Sequence, residues 1–583
     1  MAARAFIVVA AFVAAAIPFA AAAQTPIPGV QSIPGGDLAG RERQRFQEPV
    51  APLAQPGGPA VVLPTEAPPT GAANIKVTIR DICIKGGTIY SKQDLEPLYQ
   101  NLIGHEIPVQ ALYDLAKAIT AKYGADGYVL SRAIVPPQQF APHGAVPCIQ
   151  IVEGYIEKVE WPASVARYRN FFDYYAAKIT AERPVNVRTI ERYLLLANDL
   201  PGLKFSTSLK ASPKTQGASI LVVELTEKPW DLFGRADNRG TLARGPIQFL
   251  ASPTANNLFG AHESLNFTWA ATAHLQELEY FAVNYRQVLT AEGLYAFFNA
   301  SHGFGHPGTA VFELLNFKTH SNYGEAGLAN PVIRTRELNL TLSGLVFLNN
   351  ATNDTNIPDP PFGFTAPNTR DQLRGVRVKA DLDWADKLLG INQLNVTLSH
   401  GFEVFGSTAN VVVDSFGNFV SGNPSASRAS GRVDFTKLEA TISRTQPLFG
   451  PFSAFGSLYG QLAGTPILVP EQCGYGGRFF GRAYDPSQLL GDHCFEAIGE
   501  VRYDLPKFSP QISQIQLYGY SDYGKVWLLA PLAGTVANIS GASVGGGLRV
   551  AWLTNVNVDV STAHAVAGPR NDSRVFFIVT VRN

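Results

Sequence analysis

The chain has 583 residues, of which 16% are charged, and lysine plus arginine equals aspartate plus glutamate at 47 each. This balance gives no electrostatic reason to expect binding to nucleic acid or to an acidic partner. The charged fraction lies well below the roughly 25% of soluble domains.

Residues 1–23 have the pattern of a secretory signal peptide. Arg4 supplies a positive start, residues 5–16 are apolar, and alanines at 21–23 form a small-residue end. We therefore expect cleavage before Gln24 and a mature chain outside the cytoplasm. No later stretch approaches the ~18 consecutive apolar residues of a membrane-spanning helix.

Residues 24–73 are rich in proline, glycine and alanine, which predicts a mostly extended and mobile linker. Residues 37–48 (DLAGRERQRFQE) differ because they are strongly charged and free of proline. They can form a short helix with no apolar face for a core, and such a helix would suit a wet, polar lumen. The alternative is an unstructured polar patch within the linker.

Two tandem modules follow, at residues 74–154 and 155–228, and each has the pattern strand, helix, helix, strand, strand. In the first module, Ser91 and Asp94 resemble a capping box that opens a helix. In the second, the pattern predicts a strand at 156–161, helices at 168–179 and 186–200, and strands at 203–211 and 218–226. Modules of this length are typical of small α+β domains.

The run GYVLSRAIVPPQ at 127–138, followed by PCIQIVEGYIEKV at 147–159, resembles a known family. It is similar to the first POTRA module of two-partner (type V) secretion transporters, the hemolysin secretion/activation proteins (ShlB/FhaC/HecB) of the Omp85 superfamily. Arg132, Pro136, Gln138 and Gly154 carry the pattern. The resemblance implies a signal peptide, a plug helix, a linker, two POTRA modules and a barrel of 16 antiparallel strands.

Residues 229–583 alternate apolar and polar side chains in short segments. In residues 375–384 the even positions carry Val, Val, Ala, Leu and Trp, and most odd positions carry Arg, Lys or Asp. A soluble sandwich also alternates, but many long strands favour a transmembrane barrel, because closure satisfies every backbone polar group within hydrocarbon. We expect an outer-membrane barrel with the POTRA modules in the periplasm.

A second marker lies at residues 476–492 (GGRFFGRAYDPSQLLGD), which resemble the inward-folded sixth loop of the family. The family signature is Val-Arg-Gly-Tyr, and here it reads Gly481, Arg482, Ala483 and Tyr484, so that two positions depart from it.

The resemblance implies that Arg482 pairs with an aspartate on the inner barrel wall. The segment YGYSDYGKVW at 518–527 offers Asp522 and Gly524 for this role. A buried arginine needs such a partner, because an unpaired charge in a restricted lumen is costly. Glu500 and Arg502, two residues apart on one strand face, can extend the network.

Four cysteines in an exported chain allow two disulfides in three connectivities. Proximity favours Cys83 with Cys148, in the first module, and Cys473 with Cys494, which flank one glycine-rich loop. Free thiols are the alternative.

Three motifs resemble a phosphate loop, an esterase nucleophile and a metal-binding histidine pair, but each lacks the neighbouring residues or the secondary structure that such a site needs. GYSDYGKV at 519–526 ends in valine where a phosphate loop needs Ser or Thr, and GASVG at 541–545 precedes strand-like sequence. His302 and His306 lie among glycines without an acidic or cysteine neighbour. We therefore expect no enzyme, no cofactor and no metal, and no catalytic role for Ser543.

The family resemblance implies a translocator that binds an unfolded exported partner through its POTRA modules and secretes it through the barrel, and the lack of a credible nucleotide site favours secretion without ATP. The resemblance places docking between a sheet edge and a helix of the second module, at Tyr168, Phe171, Phe172, Leu203, Phe205 and Leu209. Further expected partners are outer-membrane lipid and the barrel-assembly machinery, whose recognition is uncertain because the last strand ends Arg582–Asn583 rather than in phenylalanine. The alternatives are an assembly insertase of the same superfamily and a passive porin.

Overall fold

A computed structural model describes residues 35–57, 67–140, 144–355, 368–413, 419–423, 425–531, 536–553 and 555–583. The chain forms two compact units. One contains the residues up to Gly57 with 229–289 and 293–583, and the other contains 58–228 with 290–292. The predicted signal peptide at 1–23 and the linker residues 24–34 lie outside the described residues.

The first module contains a three-stranded sheet and one long helix. Its strands are Lys76–Thr78, Cys83–Lys85, Glu106–Pro108, Arg132–Ile134 and Cys148–Val152, and its helix is Gln110–Ala125. Strand 148–152 is central, parallel to 83–85 and antiparallel to 132–134, while 76–78 pairs separately with 106–108. The helix buries Leu112, Leu115 and Ile119 against this sheet, as their spacing predicts.

The predicted capping box is present, and the α-helix that it opens is short. The Ser91 side chain accepts from the Asp94 N–H, and the Asp94 side chain accepts from the Ser91 N–H. The α-helix covers only Lys92–Leu95 and continues as 3-10 turns at Glu96–Leu98 and Gln100–Leu102. Pro97 lacks the N–H that the next α-helical hydrogen bond needs, which explains the early end.

Two residues of the POTRA-like motif have clear packing roles. The Gln138 side chain donates to the Cys148 carbonyl at 2.8 Å and accepts from the Cys148 N–H at 2.7 Å. Gly154 lies so close to the main chain that a Cβ there would approach the Leu130 oxygen to 2.2 Å.

The second module has a three-stranded sheet covered by two helices. Its elements are Tyr155–Glu160, the 3-10 helix Ala163–Tyr168, helices Arg169–Ala181 and Val187–Asn198, and strands Leu203–Ala211 and Ala218–Glu227. Strand 218–227 is central, parallel to 155–160 and antiparallel to 203–211, so strand 203–211 forms one edge of the sheet. Among the described residues, no helix combines the length and apolar composition needed to cross a membrane.

Sixteen antiparallel strands close into a barrel, as predicted. In chain order they are β1 Trp230–Asp237, β2 Gln248–Asn256, β3 Glu263–Thr272, β4 Glu279–Val288, β5 Tyr295–Gly305, β6 Lys318–Arg334, β7 Leu338–Asp354, β8 Thr369–Ala385, β9 Ile391–Gly401, β10 Thr436–Pro447, β11 Phe452–Ala463, β12 His493–Asp504, β13 Ile512–Trp527, β14 Asn538–Trp552, β15 Val556–Ala567 and β16 Ser573–Arg582. Each pairs with its neighbour, and β16 closes onto β1 through five residue pairs from Ile578↔Asp237 to Arg582↔Phe233.

The alternation in the sequence becomes an apolar outer face and a polar interior. Val378 and Val560 are 59% and 46% exposed on the outer wall. Arg377, beside Val378, is 5% exposed and points inward, where it pairs with Glu471 at 2.7 Å. The interior is therefore a polar lumen rather than a hydrophobic core.

Smaller elements lie at the ends of the strands and in the lumen. They are helix Ala310–Leu314, the pair Val412–Val413 and Phe419–Ser421, the 3-10 helix Val469–Glu471, and a hairpin of Cys473–Tyr475 with Leu489–Gly491. We call residues 473–491, between β11 and β12, the inward hairpin.

The N-terminal segment is less helical than predicted. Residues 37–48 contain an α-helix only at Glu42–Phe46, preceded by a 3-10 turn at Gly35–Asp37. Gly40, with φ of +86°, interrupts a continuous helix, and Gln47 is extended. The expectation of no apolar contact is also wrong, because Phe46 is buried against Tyr280 with ring centres 5.3 Å apart.

Candidate functional site

The tip of the inward hairpin is shaped by glycine. Gly481 has φ of +66°, and a Cβ there would come within 2.9 Å of the Tyr475 ring. The glycine that stands where the family signature has valine thus allows a left-handed turn just before Arg482. Ala483, the second departure, is completely buried and its N–H is 3.4 Å from the Ser543 hydroxyl.

The Arg482 guanidinium pairs with Glu500 on β12. The Nη1–Oε2 distance is 2.8 Å, the Glu500 side chain is inaccessible to solvent and the Arg482 side chain is 12% exposed. Glu500 also accepts from Arg502 at 2.7 Å and from Arg549 at 2.7 Å. One buried carboxylate therefore holds three arginines, and charge-assisted hydrogen bonds of this kind are among the strongest in proteins.

Asp522 on β13 contacts the hairpin in another way. Its carboxylate accepts from the Tyr475 hydroxyl at 2.6 Å, the Ser543 hydroxyl at 2.7 Å and the main-chain N–H of Arg482 at 3.1 Å. The expected ion pair between the Arg482 guanidinium and Asp522 is therefore wrong. Two hydroxyls and an amide already occupy the Asp522 oxygens, and the arginine side chain extends along the wall to Glu500 instead.

Gly524 lies on the same inward face of β13, two residues after Asp522. A Cβ at this position would come within 2.1 Å of the Tyr475 ring. The missing side chain thus creates the space into which the hairpin tyrosine packs, which gives the predicted glycine a steric role.

Tyr484 and Asp485 join the hairpin to the last barrel strands. Tyr484 is 1% exposed, its hydroxyl donates to the carbonyl of Ala567 on β15, and its ring lies 5.2 Å from that of Tyr475. The Asp485 carboxylate pairs with Arg570 at 2.8 Å and with Arg574 at 2.7 Å. Contacts from the hairpin tip therefore reach β12 through β16.

Both cysteine pairs favoured by proximity are bonded in the structure. Cys83 joins Cys148 across neighbouring strands of the first module, and Cys473 joins Cys494. The second bond attaches the base of the inward hairpin to β12. Free thiols, the alternative reading, are absent among the described cysteines.

Residues 35–48, which we call the plug segment, contact lumen-facing groups of the barrel. Asp37 accepts from the Thr241 hydroxyl at 2.8 Å, and its carbonyl accepts from Arg244 at 2.7 Å. The Glu42 side chain accepts from the Ser321 hydroxyl on β6 at 3.0 Å. Asp37 and Glu42 are 2% and 4% exposed, so polar groups of the barrel wall, rather than water, provide their hydrogen-bond partners.

The plug segment also contacts the inward hairpin directly. The Arg41 guanidinium donates to the Ser487 hydroxyl of the hairpin at 3.0 Å and to the carbonyl of Gln472, the residue just before the hairpin, at 2.5 Å. Near the other end of the segment, Glu48 pairs with Arg478 of the hairpin at 3.2 Å and with Arg235 on β1. The two lumen elements thus hold each other as well as the wall.

In the other compact unit, three of the six predicted docking residues are buried. Tyr168, Phe172 and Leu203 are 4%, 1% and 1% exposed, so their expected place on the surface is wrong. The helix 169–181 packs its aromatic face onto the sheet, where Phe172 contacts the half-buried Phe205 with ring centres 5.4 Å apart. Packing against the sheet therefore fills the groove that was expected between helix and edge.

The rest of the predicted docking surface is partly accessible. Phe171 is half-buried and its ring lies 6.5 Å from that of Tyr175. Leu209 is 42% exposed, and residues 206–211 of the edge strand are all exposed. The accessible surface is thus the edge strand after Phe205.

Sequence reasoning missed Tyr475 and Arg549, and it treated Ser543 only as a rejected nucleophile. Ser543 and Asp522 are register partners on β14 and β13, and both face the lumen. The alternation alone places both on inward faces, but only the strand register brings them opposite each other. Tyr475 lies just before the predicted loop, so no local signal marked it.

Comparisons with known proteins agree with this architecture. Residues 77–154 match the POTRA domain of the ShlB type, and residues 377–548 match the haemolysin secretion/activation protein family ShlB/FhaC/HecB. The chain is 23% identical to the heme/hemopexin transporter protein HuxB of Haemophilus influenzae (strain 86-028NP), over 90% of this chain and 91% of that relative.

It is also 23% identical to the outer membrane transporter CdiB of Dickeya dadantii (strain 3937), over 82% of this chain and 81% of that relative. Among solved structures, CdiB from Escherichia coli superimposes with a TM-score of 0.64 at 18% identity, over 93% of this chain and 96% of that chain. This superposition shows a shared fold.

Proposed function

We propose that this chain, which belongs to the haemolysin secretion/activation (ShlB/FhaC/HecB) family of two-partner secretion transporters in the Omp85 superfamily, binds its unfolded partner through the second POTRA module. The barrel lies in the outer membrane, the POTRA modules lie in the periplasm, and the transporter acts with a secreted partner protein. The docking site, the route through the lumen and the independence from ATP are the proposed parts.

The exposed part of the edge strand Leu203–Ala211, residues 206–211, is the observation that carries the docking proposal. An extended segment of the partner adds to this edge as a further strand, and main-chain hydrogen bonds supply affinity without demanding one sequence. Of the predicted docking residues, Phe205 and Leu209 lie on this strand. The proposed docking site is therefore the strand edge and not the groove that was expected between the helix and the edge.

The route leads through the polar lumen after the plug segment has left it. Arg41 and Glu48 bind the inward hairpin as well as the wall, so release of the plug also frees one side of the hairpin. The hairpin base stays attached to β12 through Cys473 and Cys494, so any movement is confined to its tip. Folding of the partner outside the cell prevents its return, and no nucleotide is needed.

The overall proposal is tested by deleting the gene and fractionating the cells. We expect one large exported protein to disappear from the medium and accumulate in the periplasm, while other outer-membrane barrels reach normal levels. A general loss of barrels would instead identify an assembly insertase, and an unchanged set of secreted proteins would favour a passive porin.

The docking step is tested by Thr207→Pro in the full-length protein. The Thr207 N–H points away from the neighbouring strand, so proline is tolerated in the fold but cannot pair with an added strand. We expect the partner to remain in the periplasm with Thr207→Pro and to be secreted with the matched control Thr207→Val. Normal secretion by the proline variant would refute docking at this edge.

The gating step is tested by replacing residues 37–48 with a Gly/Ser segment of equal length, which keeps the linker length constant. Since the buried contacts of Asp37, Arg41 and Glu42 are then lost, we expect higher conductance in planar bilayers than for the natural chain. If conductance and secretion were both unaltered, the segment would have no role as a plug.

A further inference from the structure

The edge strand of the second POTRA module is closed at one end by a single side chain. The Phe205 N–H donates to Asn198 Oδ1 at 2.7 Å, and Asn198 Nδ2 lies 3.5 Å from the Phe205 carbonyl oxygen. Asn198 is the last residue of helix Val187–Asn198, and its Nδ2 also donates to the Leu194 carbonyl at 3.1 Å. Its amide therefore takes the position that the backbone of an added strand would occupy.

The same geometry fixes which main-chain groups remain available. The N–H and C=O groups of successive residues alternate in direction along an antiparallel strand. The Ser212 N–H donates to the carbonyl of Ala218 on the central strand at 2.9 Å, so the main-chain N–H and C=O groups of even-numbered residues point toward that strand. The main-chain groups of Thr207, Leu209 and Ala211 therefore point away from the sheet, as those of Phe205 do. Among the described residues, no strand pairs with these groups along this edge.

We infer that Asn198 is a register stop: it limits strand addition to residues Thr207–Ala211 and so fixes which residues of the partner face this module. This inference rests on the proposed docking at the same edge. A partner strand that extended past Thr207 would have to displace the bond between Asn198 and Phe205, and it would gain only an equivalent bond in return. The added strand is therefore short and ends opposite Thr207.

The side chains along the edge indicate the chemistry of the docked segment. Leu209 is 42% exposed on the same strand face as Phe205, whereas Lys204, Ser206, Ser208 and Lys210 are exposed on the opposite face. Directly opposite residues of neighbouring strands share a face. The structure therefore fits a segment of the exported partner with an apolar residue beside Leu209 and an acidic residue beside Lys210.

The test uses hydrogen exchange at single-amide resolution on the purified full-length protein in detergent, with the probe peptide acetyl-TVEVEVT-amide. At a peptide concentration about ten times its Kd, we expect exchange at Thr207 and Leu209 to slow about tenfold. Phe205 is already protected by Asn198 and should not change. The lysine peptide acetyl-TVKVKVT-amide should bind more weakly, because it places like charge beside Lys210.

The variant Asn198→Ala distinguishes a register stop from a merely structural contact. Without peptide, its Phe205 amide should exchange faster, and with peptide that amide should gain protection because the register now extends by one pair. Asn198→Asp retains an acceptor for the Phe205 N–H and should keep that amide protected without peptide. Unchanged exchange at Leu221, on the central strand, establishes that each variant is folded.

Two results would overturn the inference, and they differ in whether the docking proposal fails with it. If Phe205 stays fast-exchanging in Asn198→Ala while Thr207 and Leu209 are protected by peptide, the register stop is refuted and docking at the edge stands. If no peptide protects Thr207 or Leu209 in any variant, both the docking proposal and the register stop fail.

Discussion

The structure predicts that the inward hairpin is held by an ion pair with Glu500 and not by one with Asp522. Two double-mutant cycles separate these possibilities, the first combining Arg482→Ala with Glu500→Gln and the second combining Arg482→Ala with Asp522→Asn. Only the first pair shares a charge-assisted side-chain bond, at 2.8 Å. Asp522 contacts Arg482 through the main-chain N–H, which survives truncation to alanine.

The magnitudes follow from burial and the remaining partners. Truncating Arg482 should cost about 1.5–3 kcal/mol, the contribution of a hydrogen bond to a charged group, because Glu500 keeps Arg502 and Arg549. Glu500→Gln should cost about 3–5 kcal/mol, because it leaves these arginines without their buried counter-charge. The expected coupling is about 1.5–3 kcal/mol for the first cycle and about 0.5 kcal/mol for the second.

The free energies of unfolding can be measured by urea titration in detergent micelles, followed by tryptophan fluorescence and extrapolated linearly to water. Single-channel conductance provides a second reading, since a loosened hairpin should increase the frequency of open states. A larger coupling in the Asp522 cycle than in the Glu500 cycle would refute the assignment of the ion pair.

Two further predictions concern steric fit and pH. Gly524→Ala should destabilise the barrel by about 1–3 kcal/mol, because its Cβ would overlap the Tyr475 ring. The control Gly499→Ala on β12, where the added Cβ meets open space, should leave the urea midpoint unchanged. Equal effects of the two substitutions would contradict the steric role of Gly524. Partial desolvation raises the pKa of Glu153, but hydrogen bonds, chiefly from Thr88, hold this pKa below its ordinary 4.5. A carboxylate whose pKa is lower in the folded state than in the unfolded state stabilises the fold at pH values above the unfolded-state pKa, and this stabilisation is lost as the pH falls. The first POTRA module should therefore lose stability below about pH 4.5, measured by hydrogen exchange of its long helix, and Glu153→Gln should weaken that dependence; an identical pH profile in the variant would exclude Glu153 as its source.

The inner and outer faces of the barrel could be predicted from the sequence because side-chain direction in a strand alternates with a period of two. Arg377 and Val378 fall on opposite faces whatever their neighbours are. The amphipathic helix of the first POTRA module and its Ser91–Asp94 capping box are equally local signals. Local signals also located the plug segment, although Gly40 and the Phe46–Tyr280 contact made its helix shorter and less polar in its contacts than expected.

The partner of Arg482 could not be predicted, because Glu500 and Asp522 lie on neighbouring strands with both side chains directed into the same lumen. The choice depends on the path of the hairpin and on Tyr475 and Ser543, whose hydroxyls already occupy Asp522. The docking surface has the same limitation. The family resemblance placed Tyr168 and Phe172 at the docking surface, whereas packing against the sheet buries both side chains.

The sequence by itself therefore determined the order of modules, the closed barrel and the polarity of each strand face, since these depend on local periodicity and backbone hydrogen bonding. Only the tertiary structure decided which inward side chains meet, which aromatic residues are buried and that Asn198 binds the edge strand at Phe205. These outcomes depend on register and packing between residues far apart in the chain, and no periodic pattern encodes such distances.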